Sequence, residues 1–153
     1  MALTIGQKAP DFALHDTDKN VVTLSSLQGK NVLLLFFPLA FTSVCTKELC
    51  SVRDNITMYN NANAQVFGIS VDAPATLTKF KKDQGLNFPL LSDFNKEAST
   101  AYGCIYTEFA GWMKGVSKRS AFVIGEDGII KYAEILENAG EMPDFEAINK
   151  ALN

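Results

Sequence analysis

Asn31-Val32-Leu33-Leu34-Leu35-Phe36-Phe37-Pro38-Leu39-Ala40-Phe41-Thr42-Ser43-Val44-Cys45-Thr46-Lys47-Glu48-Leu49-Cys50 holds the information that decides the fold. From Val32 to Phe37 no residue is polar, so a strand built from this run has no face to show to water. Such runs are typical of central parallel strands covered on both sides. Pro38 lacks an N–H and ends the strand. Beyond it, Val44, Leu49, Val52, Ile56 and Tyr59 recur at helical spacing and predict a helix from Thr42 or Ser43 to about Asn60.

Working outward, Asp11–Leu14 and Val21–Leu24 flank a polar turn, Asp16 to Asn20, and predict a β-hairpin. Ser25 to Lys30 reads as a short turn or helix stopped by Gly29. Ala64 to Val71 predicts a second buried strand. Pro74 opens a helix that stops at Gly85. Phe88 to Leu91 is a short extended piece. Ser92 or Asp93 is placed to cap a further helix up to Tyr102, with Gly103 as its stop. Thr107 to Lys118 forms a loop containing Trp112. Ser120–Ile124 and Ile129–Ile135 predict a last hairpin, and Asp144–Leu152 a terminal helix. Parallel strands joined by helical crossovers, extended by an antiparallel pair, make an α/β sandwich with a central mixed β-sheet flanked by helices. The pattern fits a thioredoxin-like fold with an N-terminal β-hairpin extension, and residues 1–153 are expected to form one domain.

The chain has 153 residues, 47% of them hydrophobic, and a formal net charge of -3. No basic stripe points to nucleic acid; Lys79-Lys81-Lys82 and Lys114-Lys118-Arg119 are short, and the first reads as a solvated helix face. The stretch Met1 to Lys8 lacks the pattern of a signal peptide, and the apolar run ending at Phe41 is far short of the ~20 residues a membrane span needs. A cytoplasmic protein without membrane association is therefore expected. In a reducing cytosol, Cys45, Cys50 and Cys104 are expected to be catalytic, redox-sensing or metal-binding rather than structural disulfides. A metal site is not expected, because the sole histidine, His15, lies in the N-terminal hairpin as a surface turn residue and the cysteines lack zinc spacing. No Gly-rich phosphate loop is present, and the first Arg after Cys45 is Arg53, too deep in the helix for a phosphatase loop.

Cys45 falls in the first turn of the helix that follows the central strand. Unpaired N–H groups and the positive end of the helix dipole favour an anion there, and the thiolate is the nucleophilic form of cysteine. Thr42 precedes it by three residues; its hydroxyl can accept from a helix N–H or donate to a bound oxygen. Pro38 can turn the chain off the sheet edge and shield the sulfur from water. Arg119, at the start of a later strand, could reach the same strand end and stabilise negative charge. Taken singly, Cys45 reads as core filler, Thr42 as a cap, Pro38 as a terminator and Arg119 as a surface charge. It is the combination that points to nucleophilic chemistry.

Pro38, Thr42 and Cys45 match the peroxiredoxin signature. Arg119, in Lys118-Arg119-Ser120-Ala121-Phe122-Val123-Ile124, resembles that family's distant active-site arginine. The likeness extends to Gly6-Gln7-Lys8-Ala9-Pro10-Asp11-Phe12, Phe67-Gly68-Ile69-Ser70-Val71-Asp72 and Phe88-Pro89-Leu90-Leu91-Ser92-Asp93. The resemblance implies a cofactor-free thiol peroxidase reducing hydrogen peroxide and organic hydroperoxides. Cys45 would be the peroxidatic cysteine, and the peroxide oxygens would lie against Thr42, Arg119 and the N–H groups around Val44 and Cys45. Glu48, one turn after Cys45, would orient Arg119. Phe36 to Thr42 and Asn138-Ala139-Gly140-Glu141 resemble the one-cysteine alkyl hydroperoxide reductase E group. Cys45-Thr46-Lys47-Glu48-Leu49-Cys50 resembles the bacterioferritin-comigratory (PrxQ) group, in which a cysteine five positions on resolves the sulfenic acid. On the latter pattern Cys50 forms a disulfide with Cys45, reduced by a thioredoxin- or glutaredoxin-like partner or a small thiol. Five helical residues advance the chain about 7.5 Å and turn the side chain by roughly 140°, so that disulfide requires the helix to unwind.

Cys104, next to apolar Ile105, reads as a core cysteine. Leu39, Phe41 and Trp112 are candidates for an apolar wall favouring organic hydroperoxides, or for packing or dimer contacts; relatives are often homodimers. Two rival activities remain: a thioredoxin-like disulfide-exchange module, which normally uses Cys-x-x-Cys, and a redox-sensing or holdase protein without peroxidase turnover.

Overall fold

The computed structural model describes residues 3–153; Met1 and Ala2, part of the N-terminal stretch read above for a leader, lie outside the described residues. Seven strands form one mixed sheet: β1 (Ala13–Asp16), β2 (Val21–Thr23), β3 (Asn31–Phe36), β4 (Ala64–Ser70), β5 (Leu90–Ser92), β6 (Ser120–Ile124) and β7 (Ile130–Ile135), in the order β2-β1-β5-β4-β3-β6-β7. β3, β4 and β5 run parallel, while β6 pairs antiparallel with β3 and β7 with β6. The hairpin β1–β2 joins the far edge through β5. The architecture is the thioredoxin-like fold expected from the sequence.

The all-apolar run that predicts β3 is buried at every position. Its alternate residues serve two cores. Leu33, Leu35 and Phe37 pack with Leu49, Val52, Leu77, Phe80 and Ile148 on one face. Val32, Leu34 and Phe36 pack with Phe12, Leu14, Tyr102 and Phe122 on the other. The first face is covered by α1 (Ser43–Asp54), α2 (Ile56–Asn61), α3 (Pro74–Gln84) and α5 (Phe145–Leu152). The second is covered by Ala9 and Phe12 ahead of β1, by Leu24 and Leu27 after β2, and by α4 (Glu97–Ala101) with Tyr102. At Gly68 in β4 a Cβ would lie 2.7 Å from Leu90 Cδ2, so the buried leucine would have to shift to admit one.

α3 begins at Pro74 and ends at Gly85, which takes φ 59, as its sequence predicts. Elsewhere the structure corrects three boundaries. The helix expected to reach Asn60 breaks at Asn55 into α1 and α2, because Asn55 takes φ -115, ψ 19 and its side-chain amide donates to Ser51 O. The helix expected after Asp93 starts at Glu97. The Asp93 carboxylate still accepts from Ala98 N–H (3.0 Å) and Ser99 N–H (2.7 Å), so it satisfies the helix start from four residues upstream. His15 lies exposed within β1, paired with Val21 and Ser92, rather than in the turn. Among the described residues no helix is long and apolar enough to cross a membrane.

Candidate active site

The chain leaves β3 through a turn held at several points. Phe37 N–H donates to Ile69 O (2.9 Å), continuing the parallel ladder by one residue, and Pro38 then breaks it. Ala40 N–H donates to Asp72 Oδ2 (2.8 Å), and the Ser70 hydroxyl donates to the same oxygen (2.7 Å). Phe41 takes φ 65, an uncommon backbone state for a bulky residue, with its ring edge-on to Phe80 at 5.1 Å. Asp72 therefore closes the turn from the end of the neighbouring strand, a role its place in a matching motif gave no reason to expect.

Thr42 is the N-cap of α1 in backbone conformation, at φ -96, ψ 151. Its hydroxyl does not cap the helix; it donates to Leu39 O at 2.7 Å. The first helical bond of the ladder runs from Thr46 N–H to Thr42 O (2.9 Å). The N–H groups of Ser43, Val44 and Cys45 precede it and have no intrahelical acceptor. Cys45 thus stands in the first turn of α1, 1% exposed.

Arg119 meets it there from a position 74 residues on. β6 lies beside β3 in the sheet, so the residue preceding Ser120 emerges at the end of β3. Arg119 Nη2 donates to Cys45 Sγ at 3.2 Å, and Nη1 donates to Glu48 Oε1 at 2.6 Å. Nε and Nη2 both donate to Ala139 O, at 3.3 and 2.9 Å. Glu48 lies one turn beyond Cys45, hence on the same face of α1, and Oε2 has no hydrogen-bond partner among the described residues.

Burial penalises both charges of the Arg119–Glu48 pair, whose side chains are 2% and 0% exposed. For Arg119 it works against the charged form, and Glu48 and Cys45 together outweigh it, so the net direction is upward. For Glu48 burial dominates: it raises the carboxyl to about 7 against the pull of Arg119, with Glu134 adding to the rise.

A cavity of about 250 Å³ opens over Cys45, lined by Pro38, Leu39, Thr42, Ser43, Val44, Phe109, Arg119, Ala139 and Gly140. Of the expected apolar wall, only Leu39 is present. Phe41 packs on Phe80 instead, and Trp112 is 73% exposed and no part of the lining. Phe109, which sequence reading passed over, takes that place. It belongs to the loop already assigned to residues 107–118, but no periodicity marks which of the loop's aromatics turns inward.

Cys50 lies five positions past Cys45 on the unbroken α1, and both are free thiols. Its Sγ donates to Gln84 Oε1 of α3 at 3.6 Å. Cys104 is fully buried, and its thiol is pushed up to about 12 by desolvation. Among the described residues no group of three or more His, Cys, Asp or Glu is placed to hold a metal ion.

Known proteins carry the same fold and sequence pattern. A family profile described as the AhpC/TSA family matches residues 5–133. Alkyl hydroperoxide reductase E of Mycobacterium tuberculosis is 42% identical over 145 residues, covering 93% of this chain and 91% of that protein. Peroxiredoxin Bcp of Escherichia coli is 38% identical over 132 residues, covering 85% and 84%. The crystal structure of peroxidoxin BcpB from Mycobacterium tuberculosis superposes with a TM-score of 0.82 at 30% identity, covering 98% of this chain and 94% of that one. With a matching profile over most of its length and relatives of this identity, the chain belongs to the AhpC/TSA family of peroxiredoxins, thiol peroxidases that reduce hydroperoxides through a redox-active cysteine.

Proposed function

We propose that Cys45 is the sulfur that attacks the hydroperoxide and that the cavity over it is the peroxide site. The contact that carries this reading is Arg119 Nη2 at 3.2 Å from Cys45 Sγ. A fixed guanidinium beside a sulfur at a helix N-terminus favours the anion and then the negative charge that develops on oxygen. The thiolate forms an S–O bond to the distal peroxide oxygen as the O–O bond breaks. Cys45 becomes a sulfenic acid, and the leaving alkoxide or hydroxide takes a proton to depart as alcohol or water. Arg119 and the unbonded N–H groups of Val44 and Cys45 hold the reacting oxygens. The Thr42 hydroxyl, occupied by Leu39 O in the resting site, turns to them as the peroxide enters. Leu39, Pro38 and Phe109 give the alkyl group of an organic hydroperoxide an apolar surface.

Cys50 then condenses with the sulfenic acid, releasing water and forming a disulfide. A thioredoxin- or glutaredoxin-like dithiol, or a small thiol, reduces it by exchange. Because α1 is continuous through both cysteines, this step needs α1 to unwind and the Cys50–Gln84 contact to open.

Stopped-flow mixing of reduced protein with peroxide tests the assignment. Fluorescence of Trp112, the sole tryptophan, is the signal. Cys45→Ser is expected to abolish the fast phase. Cys50→Ser is expected to keep it and to form no disulfide, and Cys104→Ser to behave as wild type. A fast phase surviving in Cys45→Ser, or lost in Cys104→Ser, contradicts the reading.

A further inference from the structure

The guanidinium beside Cys45 is held by more than the carboxylate on α1. Two of its nitrogens converge on one backbone carbonyl, Ala139 O. Ala139 belongs to a short strap, residues 137–141, that follows β7 and folds back over Arg119. The strap is closed on itself by Gly140 N–H to Asn138 Oδ1 (2.8 Å) and Glu141 N–H to Asn138 O (3.1 Å). A carbonyl can aim a side chain only if its own position is fixed, and residues 137–141 lie outside helix and strand. Leu136 N–H donates to Arg119 O (2.9 Å), so the β6–β7 pairing carries on one step past the strands and sets Lys118 near Glu137.

Two side chains grip the strap at Glu137. The Tyr106 hydroxyl donates to Glu137 O (2.8 Å), and Lys118 Nζ lies 2.5 Å from Glu137 Oε1. The two grips are themselves joined: Lys118 Nζ sits over the Tyr106 ring, 5.7 Å from its centroid. The Tyr106 ring packs tilted against Phe109, centroids 5.0 Å apart, and Phe109 lines the cavity. Tyr106 is itself fixed in its loop, since its N–H donates to Val116 O (2.8 Å) and its O accepts from Gly115 N–H (3.0 Å).

We propose that Tyr106 and Lys118 are positioning residues for the peroxide reaction. By clamping Glu137 they hold the Ala139 carbonyl where it aims Arg119 at Cys45. Neither touches the sulfur or lines the cavity, so their effect runs through the strap. The proposal rests on the reading of Cys45 and Arg119 as the reacting pair. A displacement of 1 Å at a reacting centre can cost on the order of 100-fold in rate. Loosening one grip while the other remains is expected to cost about tenfold.

The test is the second-order rate constant of the reduced enzyme with hydrogen peroxide in Tyr106→Phe, Lys118→Met and Lys118→Arg. Tyr106→Phe keeps the ring against Phe109 and removes only the hydroxyl. Lys118→Arg keeps a cation over the ring and a partner for Glu137. The expected result is a loss of about tenfold in Tyr106→Phe and in Lys118→Met, with Lys118→Arg within about twofold of wild type. Thermal midpoints and the rate at which dithiothreitol reduces the oxidised enzyme should stay unchanged. Wild-type peroxide rates in either Tyr106→Phe or Lys118→Met overturn the proposal. Equal losses in Lys118→Arg and Lys118→Met, or losses that track a lowered thermal midpoint, overturn it as well. Failure of the underlying reading is separate: it is seen as a fast phase that survives Cys45→Ser, whatever these variants do.

Discussion

Cys45 and Cys104 are equally buried, and Cys45 accepts a hydrogen bond from a guanidinium. That cation is tied to Glu48, and the pair dominates the energetics of the site. The Glu48 carboxyl titrates near 7 in the fold against 4.5 when unperturbed, so the native state binds its proton more tightly than the unfolded chain does. Its contribution to stability is complete below pH 4.5 and is lost as pH rises through 7. Denaturant titrations across that range should show wild-type stability falling, and Glu48→Gln should flatten this part of the profile. At pH 5, where the carboxyl is protonated, the same substitution exchanges one neutral acceptor of the Arg119 Nη1 hydrogen bond for another and should cost no more than about 1 kcal/mol. A Glu48→Gln profile with the wild-type slope would mean another group titrates there. At this scale the sequence is legible where chemistry is local: Cys45, Pro38 and Arg119 sit where the motif implies. It is illegible where a role depends on the partner. The Thr42 hydroxyl could serve an N–H or a carbonyl, and only the turn geometry decides for Leu39 O. Asp72 and Ala139 act on backbone and guanidinium groups far away in sequence, which leaves no spacing to read.

Among the elements, α1 has the most demanding task. In the proposed cycle it stays helical to keep Cys45 and Glu48 on one face toward Arg119, and unwinds for Cys50 to reach Cys45. Its anchors are unequal. The N-terminal half is held by the buried ion pair, while the C-terminal half is held by Leu49 and Val52 in the core and by polar contacts: Cys50 to Gln84 Oε1 and Arg53 to Gln84 O of α3, and Asn87, just past α3, to Arg53 O. The break at Asn55 separates it from α2, so unwinding has a natural limit. Hydrogen exchange on the oxidised enzyme should show fast amides across residues 43–54 and protected ones in α2 and α3, whereas the reduced enzyme protects all three. Protection of α1 unchanged by oxidation would rule out a Cys45–Cys50 disulfide. This break also shows where sequence periodicity fails: Ile56 and Tyr59 continue the apolar spacing of α1, and the local side-chain bond of Asn55 interrupts the backbone without disturbing it. α3 was legible to both ends because proline and glycine impose their own backbone angles at its start and stop.

For the molecule as a whole, the sheet order explains why the proposed site lies at one end of the fold. The central strands β3 and β4 deliver the turn and Asp72 at their carboxyl ends, and antiparallel β6 begins at that same end with Arg119. Strand order brings residues 45, 72 and 119 to one end of the sheet, and the strap after β7 adds Ala139. The all-apolar β3 and the crossover helices point to a mixed sheet with a parallel centre, but the strand order and the side-chain convergence required the folded sheet. In the proposed reaction the sulfur beside Arg119 is the one peroxide oxidises. Mass spectrometry of Cys50→Ser after one equivalent of hydroperoxide, with the sulfenic acid trapped by dimedone, tests it most directly. A single adduct on the peptide containing Cys45 is the expected result, and an adduct on Cys104 with Cys45 unmodified would contradict it.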